Sequence, residues 1–497
     1  MEDRVILGNY HSERKSIRSQ SFKKKLLGAK INHPLMLAFI LLFSLAATAA
    51  ITFMGGMKIG VLLLLGIIAM PALFATIAYP KIGIIIALVV SYFLMYAEKF
   101  TDFPVGTIMD GMLALLVFGF FLKQKHNQDW KVFKNPISIM VLVWIGYNFI
   151  EVGNPVAESR MAWVYTIRTV AVVLLMHFIF LYHVRTVDFI KLIFKIWILL
   201  ALIAALYGLN QQLFGFFPFE QKWLDDNPSA ISLYFIGGVW RKFSIFSDPV
   251  TFSYNMVIAA VLCISLMTGP MKVWKKIVLG VIAGLCLYSM LFSGTRGAYV
   301  LVPVALGMFL ILKFNRGVLI FALVAGAAMA ALVFMPTNNL AIRRFQSAFS
   351  PEYDASYNVR ATNQKMIQPF ILTHPIGGGL GATGTWGQRF SPNSFLANFP
   401  PDSGYVRVAV EIGWVGLLVF CTLIFVVLKT GITNYYNIRD PQLKSYSLAT
   451  VLIVFALHIG NFPQEALVQY PTNILFSLVL ALINTTRVLD KNRMQTI

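Results

Sequence analysis

The chain has 497 residues, of which 58% are hydrophobic and 12% are charged. This composition excludes an ordinary soluble globular protein and indicates that lipid is the main solvent. The net charge of +20 is typical of some nucleic-acid-binding proteins. Here, however, the lysines and arginines gather in short segments between apolar runs, as expected for membrane topology, so we expect no nucleic-acid partner.

Apolar runs long enough to cross a bilayer recur along the whole chain. Because backbone polar groups must be paired inside hydrocarbon, runs of this length predict helices, and hence an all-α polytopic membrane protein. We expect about twelve to fourteen spans. They are predicted at 35–53, 59–78, 82–97, 106–122, 136–151, 161–183, 189–207, 250–267, 276–293, 298–312, 317–335, 404–428, 445–462 and 471–486.

The distribution of basic residues predicts the topology. A basic segment at 1–34 precedes the first apolar run and contains no small-residue cleavage site, so we interpret it as a cytoplasmic tail and not as a signal peptide. Alternation of the spans then places the second tail, 487–497, in the cytoplasm as well. The predicted membrane parts are an N-terminal bundle at 35–207, a central group at 250–335 and a C-terminal group at 404–486.

The same alternation places two long segments, 208–249 and 336–403, on the outer side. Loops of this length in a compact protein are usually functional or disordered, and the many aromatic residues of the second one argue against disorder. We expect an ordered, partly helical cap with an amphipathic helix from Asn358 to Leu372 that ends before His374 and Pro375.

The cysteines provide no metal site or disulfide framework. Cys263, Cys286 and Cys421 all fall within apolar runs, and their spacing matches no zinc motif. We therefore predict no metal and no cofactor.

The segment from Arg241 to Pro249 leads into the span at 250–267. Asp248 followed by Pro249 predicts a helix start, with Asp248 as the N-cap. Two interpretations are open for Arg241: its side chain extends along the membrane interface, or it binds a ligand.

A tight turn, Ser293-Gly-Thr-Arg-Gly-Ala298, lies between two apolar runs on the predicted outer side. An arginine there departs from the positive-inside bias, and a guanidinium is well shaped to bind phosphate oxygens. Arg296 is therefore a candidate anion ligand; the alternative is an exposed turn arginine.

The outer segment 336–403 contributes Arg360 and the glycine run from Gly377 to Gly381. Such a run can bind phosphate through backbone N–H groups, but this one lacks the lysine of a P-loop, so the signal is weak. His374 is interpreted as a residue that closes the loop, with a catalytic base as the alternative.

The stretch from Pro401 to Trp414 carries three charged candidates, Asp402, Arg407 and Glu411. Asp402 is either the N-cap of the following helix or a group that acts on the substrate. Glu411 lies within an apolar run, and Arg407 is placed one turn before it, so we predict an ion pair between them. Asp110 and Arg168 form a second predicted pair, with contact to the site as the alternative.

Together these segments resemble the superfamily of O-antigen ligases and O-antigen polymerases, which are integral membrane enzymes. The resemblance is carried by the Ser293–Gly297 turn, the Arg241 to Pro249 segment, and the series Arg360, His374-Pro-Ile-Gly-Gly-Gly-Leu-Gly381, Asp402-Ser-Gly-Tyr405 and Glu411-Ile-Gly-Trp-Val-Gly416. It is specific from about 240 to 430, whereas the first 230 residues resemble the superfamily only in hydropathy.

The resemblance implies a GT-C-like helical bundle with a large periplasmic or extracellular loop. It also implies a metal-independent, inverting glycosyltransferase whose donor is a glycan on polyprenyl pyrophosphate, typically undecaprenyl pyrophosphate. Arg241, Arg296 and Arg360 are the expected ligands of the pyrophosphate, and Arg296 and Arg360 are also expected to be catalytic. Tyr405 and Arg407 are further binding candidates, and Asp402 is the expected catalytic carboxylate.

Ligases of the superfamily carry a histidine shortly before the span that follows the long loop, whereas this chain has Asp402 there. This departure favours a polymerase of lipid-linked repeat units, which makes O-antigen, capsule or exopolysaccharide, over a ligase that transfers a glycan to lipid A core or another acceptor. A flippase or exporter is the third possibility, but the chain shows no pair of related halves. The expected partners are the glycan donor and acceptor, the lipid bilayer and a chain-length regulator. The expected location is the bacterial inner membrane with an outward-facing site.

Overall fold

The computed structural model of the chain describes residue 49 and residues 75–101, 105–127, 129–236, 238–338, 340–349 and 355–495. The features below lie in the compact unit Thr76–Ile497. The predicted tail 1–34, the predicted span 35–53 and most of the predicted span 59–78 lie outside the described residues.

Helices account for nearly all regular structure in the described residues. Short 3₁₀ turns occur at Lys131–Phe133, Glu151–Gly153 and Val172–Leu174. The helices are α1 Pro80–Glu98, α2 Gly106–Asn127, α3 Pro136–Ile150, α4 Arg160–Val170, α5 Leu175–His183, α6 Val187–Phe214, α7 Pro218–Asp226, α8 Pro228–Tyr234, α9 Pro249–Met267, α10 Val273–Leu291, α11 Arg296–Leu312, α12 Arg316–Phe334, α13 Leu340–Ser347, α14 Ala355–Thr373, α15 Gly384–Phe390, α16 Gly404–Glu411, α17 Gly413–Asn437, α18 Pro441–Gly460 and α19 Thr472–Gln495.

In this part of the chain, eleven helical segments are long and apolar enough to cross a membrane, and α11 is a shorter apolar helix. These twelve segments overlap the twelve spans predicted from 82–97 onward, and the segment Gly413–Asn437 begins nine residues after the start predicted at 404. The prediction of an all-α polytopic membrane protein is confirmed.

Three helices of the bundle begin with an Asx-Pro pair. The side chains of Asn135, Asp248 and Asp440 each accept hydrogen bonds from backbone N–H groups of the first turn, and the following proline occupies the first helical position. A proline there costs no hydrogen bond, because that N–H has no partner inside the helix. The predicted N-cap role of Asp248 is confirmed.

The centre of the bundle consists of α9, α18 and α19, and α9 contacts both α10 and α18. In the most apolar 18-residue stretch of α9, 83% of the residues are buried inside the protein. In the corresponding stretch of α12, only 6% are buried. The rest of the protein therefore buries little of helix α12. Burial on all sides explains why α9 is apolar around its whole circumference.

Two predicted spans are interrupted. The span predicted at 161–183 breaks into α4 and α5 at a 3₁₀ turn, and the span predicted at 404–428 breaks into α16 and α17 at Ile412 and Gly413. Gly413 has a φ of +73°, which an L side chain rarely adopts. Breaks of this kind inside a membrane protein occur where the backbone lines a cavity or packs against other protein.

The predicted outer segment 208–249 contains α7, α8 and a hairpin of two short antiparallel strands, β1 Phe235–Ile236 and β2 Val239–Trp240. Its side chains pack around the buried ring of Phe243. The ammonium group of Lys99, just after α1, lies 3.6 Å from the centre of that ring and has no hydrogen-bond partner. Burial lowers the pKa of Lys99 to about 7, against the opposing attraction of Asp248 and Glu220.

The described part of the predicted outer segment 336–403 forms α13, α14 and α15. Helix α14 contains the predicted amphipathic helix and ends directly before His374. The ring of His374 stacks on Phe370 at 4.0 Å, and its Nδ1 lies 2.9 Å from the carbonyl oxygen of Phe370. These contacts favour a loop-closing role for His374.

Candidate active site

A cavity of about 490 Å³ lies where the two outer segments approach the ends of α9, α16 and α19. Its walls carry two arginines and three carboxylates. The polar residues that define it are Arg241, Asp248, Thr251, Thr385, Asp402, Arg407, Gln464, Glu465 and Gln469.

Arg241 forms one wall of this cavity and fixes the predicted turn. Its guanidinium donates from Nε to the carbonyl oxygen of Ser293 at 2.8 Å, and from a terminal nitrogen to the hydroxyl of Thr295 at 3.0 Å. Burial, together with the charge of Arg344, lowers the pKa of Arg241 to about 10, and Asp248 limits the decrease. An anion bound there would offset both effects.

Arg344 binds the same turn as Arg241, and sequence analysis missed it. It lies on α13, and its Nε donates to the carbonyl oxygen of Gly294 at 2.8 Å. The only available signal was an arginine pair, Arg343 and Arg344, in an outer segment. Nothing in the sequence indicates that α13 folds back onto the Ser293–Gly297 turn.

Arg296 and Arg360 lie close enough for their positive charges to affect each other. Arg296 begins α11, directly after the turn, and the positive charges of both Arg344 and Arg360 act on it. Arg360, on α14, also acts on the phenol of Tyr254, which lines the cavity. Arg344 is therefore near both Arg241 and Arg296, and Arg360 is near Arg296. We call these four residues the arginine cluster.

The carboxylate of Asp248 uses its hydrogen-bonding capacity to cap α9. One carboxylate oxygen accepts from the N–H groups of Val250 and Thr251 at 2.8 and 2.9 Å. The other accepts from the hydroxyls of Ser247 and Thr251 at 2.6 and 2.7 Å. These bonds leave little capacity for substrate, although the residue lines the cavity.

Asp402 also lines the cavity. Its predicted capping role is wrong: the N-cap of α16 is Ser403, whose side chain accepts from the N–H of Val406. Ser403 satisfies the helix start, so the half-buried carboxylate of Asp402 is left facing the cavity. Within the described residues, this carboxylate forms no hydrogen bond or ion pair.

Arg407 and Glu465 line the cavity as well. Arg407 donates from Nε to Glu411 at 3.0 Å, which confirms the predicted pair, and a terminal nitrogen binds Glu465. Burial raises the pKa of Glu465 against the effect of Arg407, and Asp402 adds to the increase. Glu465 was missed by the sequence analysis because it lies on a short connection between α18 and α19.

Glu411 anchors the outer segment and does not face the cavity. Its carboxylate accepts from the N–H of Gly381 at 3.0 Å and from the hydroxyl of Thr383 at 2.5 Å, and its side chain is only 2% exposed. The predicted structural role of Glu411 is confirmed.

The glycine run packs tightly against the break between α16 and α17. Gly378 and Gly379 donate to the carbonyl oxygens of Val410 and Glu411 at 2.9 and 2.8 Å. A Cβ on Gly377 would lie 2.5 Å from the nitrogen of Gly413. These glycines therefore serve close backbone packing, and their N–H groups at 378, 379 and 381 are already bonded within the protein.

Three other predicted residues lie away from the cavity. The phenol of Tyr405 binds the ring of His458 and packs against Phe420. Asp110 and Arg168 form the predicted ion pair. None of these side chains lines the cavity, so the binding role predicted for Tyr405 has no support from its position.

Charged groups of both signs line the cavity. Arg241, the member of the arginine cluster that lines it, favours an anion, and the carboxylate of Asp402 provides a hydrogen-bond acceptor. Among the described residues, no three His, Cys, Asp or Glu side chains gather in a group that would hold a metal ion. The site is thus suited to a reaction between an anionic leaving group and a hydroxyl nucleophile.

A comparison with protein families supports this interpretation. The family model described as O-antigen ligase matches residues 279–421, and no curated relative matches the chain. The matched part contains the Ser293–Gly297 turn, Arg344, Arg360, the glycine run and Asp402. The resemblance to the O-antigen ligase and polymerase superfamily is confirmed for this part of the chain, and members of the family transfer glycans.

Proposed function

We propose that this chain is a polymerase of polyprenyl-pyrophosphate-linked oligosaccharide repeat units in the synthesis of a surface polysaccharide. The observation that carries the proposal is the cavity lined both by Arg241, a member of the arginine cluster, and by the unpaired carboxylate of Asp402. The reaction takes place on the outer face of the bacterial inner membrane, with both termini in the cytoplasm.

The donor pyrophosphate binds against the arginine cluster. An acceptor hydroxyl attacks the anomeric carbon, a new C–O bond forms, and the bond to the pyrophosphate breaks with its electron pair on the leaving oxygen. Asp402 accepts the proton of the attacking hydroxyl. A single displacement of this kind inverts the configuration at the anomeric carbon.

The arginines stabilise the transition state more than the ground state, because negative charge on the leaving pyrophosphate grows as the bond breaks. Fixed guanidinium groups supply the charge neutralisation that a divalent cation provides in other phosphate chemistry. Since Arg241 and Arg344 are held by backbone carbonyls, little reorganisation accompanies the reaction.

A groove lined almost entirely by apolar residues provides a path for the polyprenyl chain. It has a volume of about 810 Å³ and lies among α9, α10, α11 and α12. Phe345 lines its upper end, and the neighbouring residue Arg344 belongs to the arginine cluster. A lipid whose tail enters this upper end therefore brings its pyrophosphate to the arginines.

Two observations favour a polymerase over a ligase. Asp402 occupies the place where ligases of the superfamily carry a histidine, and no histidine of the described residues lines the cavity. The acceptor in both cases is a sugar hydroxyl, so the difference lies in which glycan is presented beside Asp402.

The test is complementation of a strain from which the gene is deleted. Wild type, Asp402→Asn and the control Asp226→Asn, at an exposed position on α7, are expressed at equal membrane levels, and the lipid-linked glycans are extracted and sized. We expect Asp402→Asn to lower polymer output about a hundredfold or more and to accumulate single repeats. Accumulation of long chains on the lipid carrier would instead identify a ligase.

A further inference from the structure

Three lysines converge at the end of the bundle opposite the cavity. Lys276 lies near the start of α10, Lys313 follows the end of α11, and Lys444 is in the first turn of α18. The far ends of α10 and α11 lead to the Ser293–Gly297 turn. At about 1.5 Å per residue, Lys276 and Lys313 lie roughly 23 and 26 Å along these helices from the ends that meet the turn.

These lysines are partly buried and lack compensating charge. In the described part of the chain, none of the three forms an ion pair with a carboxylate. Burial lowers the pKa of Lys313, and the charges of Lys276 and Lys444 lower it further. Its ammonium group donates a long hydrogen bond of 3.4 Å to the carbonyl oxygen of Thr268.

Two of these lysines lie at the lower end of the apolar groove. Lys276 and Lys313 both line it, and the residues above them are apolar or small. On α10, a Cβ at Gly280 would meet only the Met267 side chain, at 3.6 Å, and a Cβ at Gly284 would meet nothing within 4 Å. The helix surface therefore leaves room for a chain of methylene groups beside it.

We propose that the lower half of the groove binds an anionic phospholipid, with its phosphate against Lys276 and Lys313 and an acyl chain along Gly280 and Gly284. Lysine binds phosphate as a point charge, and basic pockets between membrane helices are suited to acidic lipid headgroups. A leaflet has about half of the ~30 Å hydrocarbon thickness, so such a lipid fills only the lower half. The upper half stays free for the chain that ends at the arginine cluster.

The apolar groove could accept the tail of several lipids. The position of the lysines at its lower end is what favours an anionic phospholipid. A polyprenyl pyrophosphate presents its charge at the arginine cluster, on the other side of the membrane. A zwitterionic lipid brings its own cation and gains less from three uncompensated lysines. The proposal does not depend on the enzymatic reaction, and its test needs no glycan donor.

The experiment is native mass spectrometry of the purified full chain, titrated with dioleoyl phosphatidylglycerol and, separately, with dioleoyl phosphatidylcholine. We expect one tightly bound phosphatidylglycerol and weaker, non-saturating phosphatidylcholine. The double variant Lys276→Gln/Lys313→Gln should weaken phosphatidylglycerol binding about tenfold or more. The control Lys275→Gln, at an exposed neighbouring position, should leave it unchanged.

A second variant tests the tail independently of the charge. Gly280→Leu places an isobutyl group in the groove while all three lysines remain, and we expect it to reduce phosphatidylglycerol binding as well. Equal binding of both lipids, or unchanged binding in both variants, would overturn the proposal. Displacement of the bound phosphatidylglycerol by undecaprenyl phosphate would also overturn it, because the whole groove would then belong to the carrier lipid.

Discussion

Arg241 and Arg344 bind adjacent carbonyl groups of one turn, the oxygens of Ser293 and Gly294, at 2.8 Å each. Two like charges are thereby held on either side of the same short backbone segment. Such an arrangement is costly without an anion, since each guanidinium raises the energy of the other. An anion bound beside the two guanidinium groups would offset this cost.

Removing one of these charges should impair the reaction more than the fold. We expect Arg344→Gln to lower glycan transfer about a hundredfold, because a fixed cation at the leaving group is lost. The control is Arg343→Gln, at the neighbouring exposed position, where the side chain contacts Thr337 and Asn338. Transfer is measured in membranes with equal amounts of protein. Equal activity of the two variants would show that Arg344 does not take part in the reaction.

The turn should not tolerate a side chain at Gly294. Its φ is +60°, and an added Cβ would lie 2.8 Å from Nε of Arg344 and 3.4 Å from Cγ of Arg241. We expect Gly294→Ala to displace at least one arginine and to abolish polymer formation. Gly146→Ala on α3, where a Cβ meets nothing within 4 Å, is the matched control and should retain full activity. Full activity of Gly294→Ala would show that the turn geometry is unimportant.

We expect Glu411 to stabilise the fold and not to take part in the chemistry. In Glu411→Gln, the amide presents donors to groups that already donate, so the bonds from Arg407, Gly381 and Thr383 cannot all be kept. We expect a loss of about 2 kcal/mol and faster proteolysis of the segment 374–403, measured by thermal unfolding and limited trypsin digestion in detergent. The exposed control Glu158→Gln should not change either measurement. Lost activity with unchanged stability would instead place Glu411 in the chemistry.

The lowered pKa of Lys99 predicts that the free energy of unfolding depends on pH. Its pKa is about 7 in the folded protein and about 10.4 in an unfolded chain, so the unfolded state binds more protons between these values. The contribution of Lys99 to the free energy of unfolding therefore rises with pH from about 7 to about 10 and is constant below that range.

The difference between wild type and Lys99→Met isolates this contribution. Thermal unfolding from pH 6 to pH 10 should show a steeper increase for wild type than for the variant above pH 7. Lys222→Met, at an exposed position of α7, should behave as wild type. Parallel curves for wild type and Lys99→Met would mean that Lys99 keeps its ordinary pKa.

The sequence predicted the membrane helices well because length and hydropathy are sufficient to identify a span. It also predicted the Arg407–Glu411 pair, since residues four apart meet on one helix face. The breaks at 171–174 and at Ile412 were not predicted, because the apolar run continues through both. They depend on what the backbone packs against.

The candidate site was predicted only where the residues lie within a motif. Arg344 and Glu465 reach it through tertiary folding, and their sequence surroundings do not distinguish them from other charges in loops. Asp402 and Ser403 are both good N-caps by type, so the sequence could not show which of them adopts the extended backbone. That one-residue difference decides whether a carboxylate faces the cavity.

The packing of the glycine run against the helix break has a consequence for genetics. Substitutions at Gly377 through Gly381 would abolish polysaccharide as completely as substitutions in the arginine cluster, because they separate the outer segment from the bundle. A mutational scan scored only by surface polysaccharide would therefore mark this stretch as catalytic. Scoring protein abundance in the same cells would separate the two groups: the glycine variants would be depleted from the membrane, and the arginine variants would accumulate to normal levels.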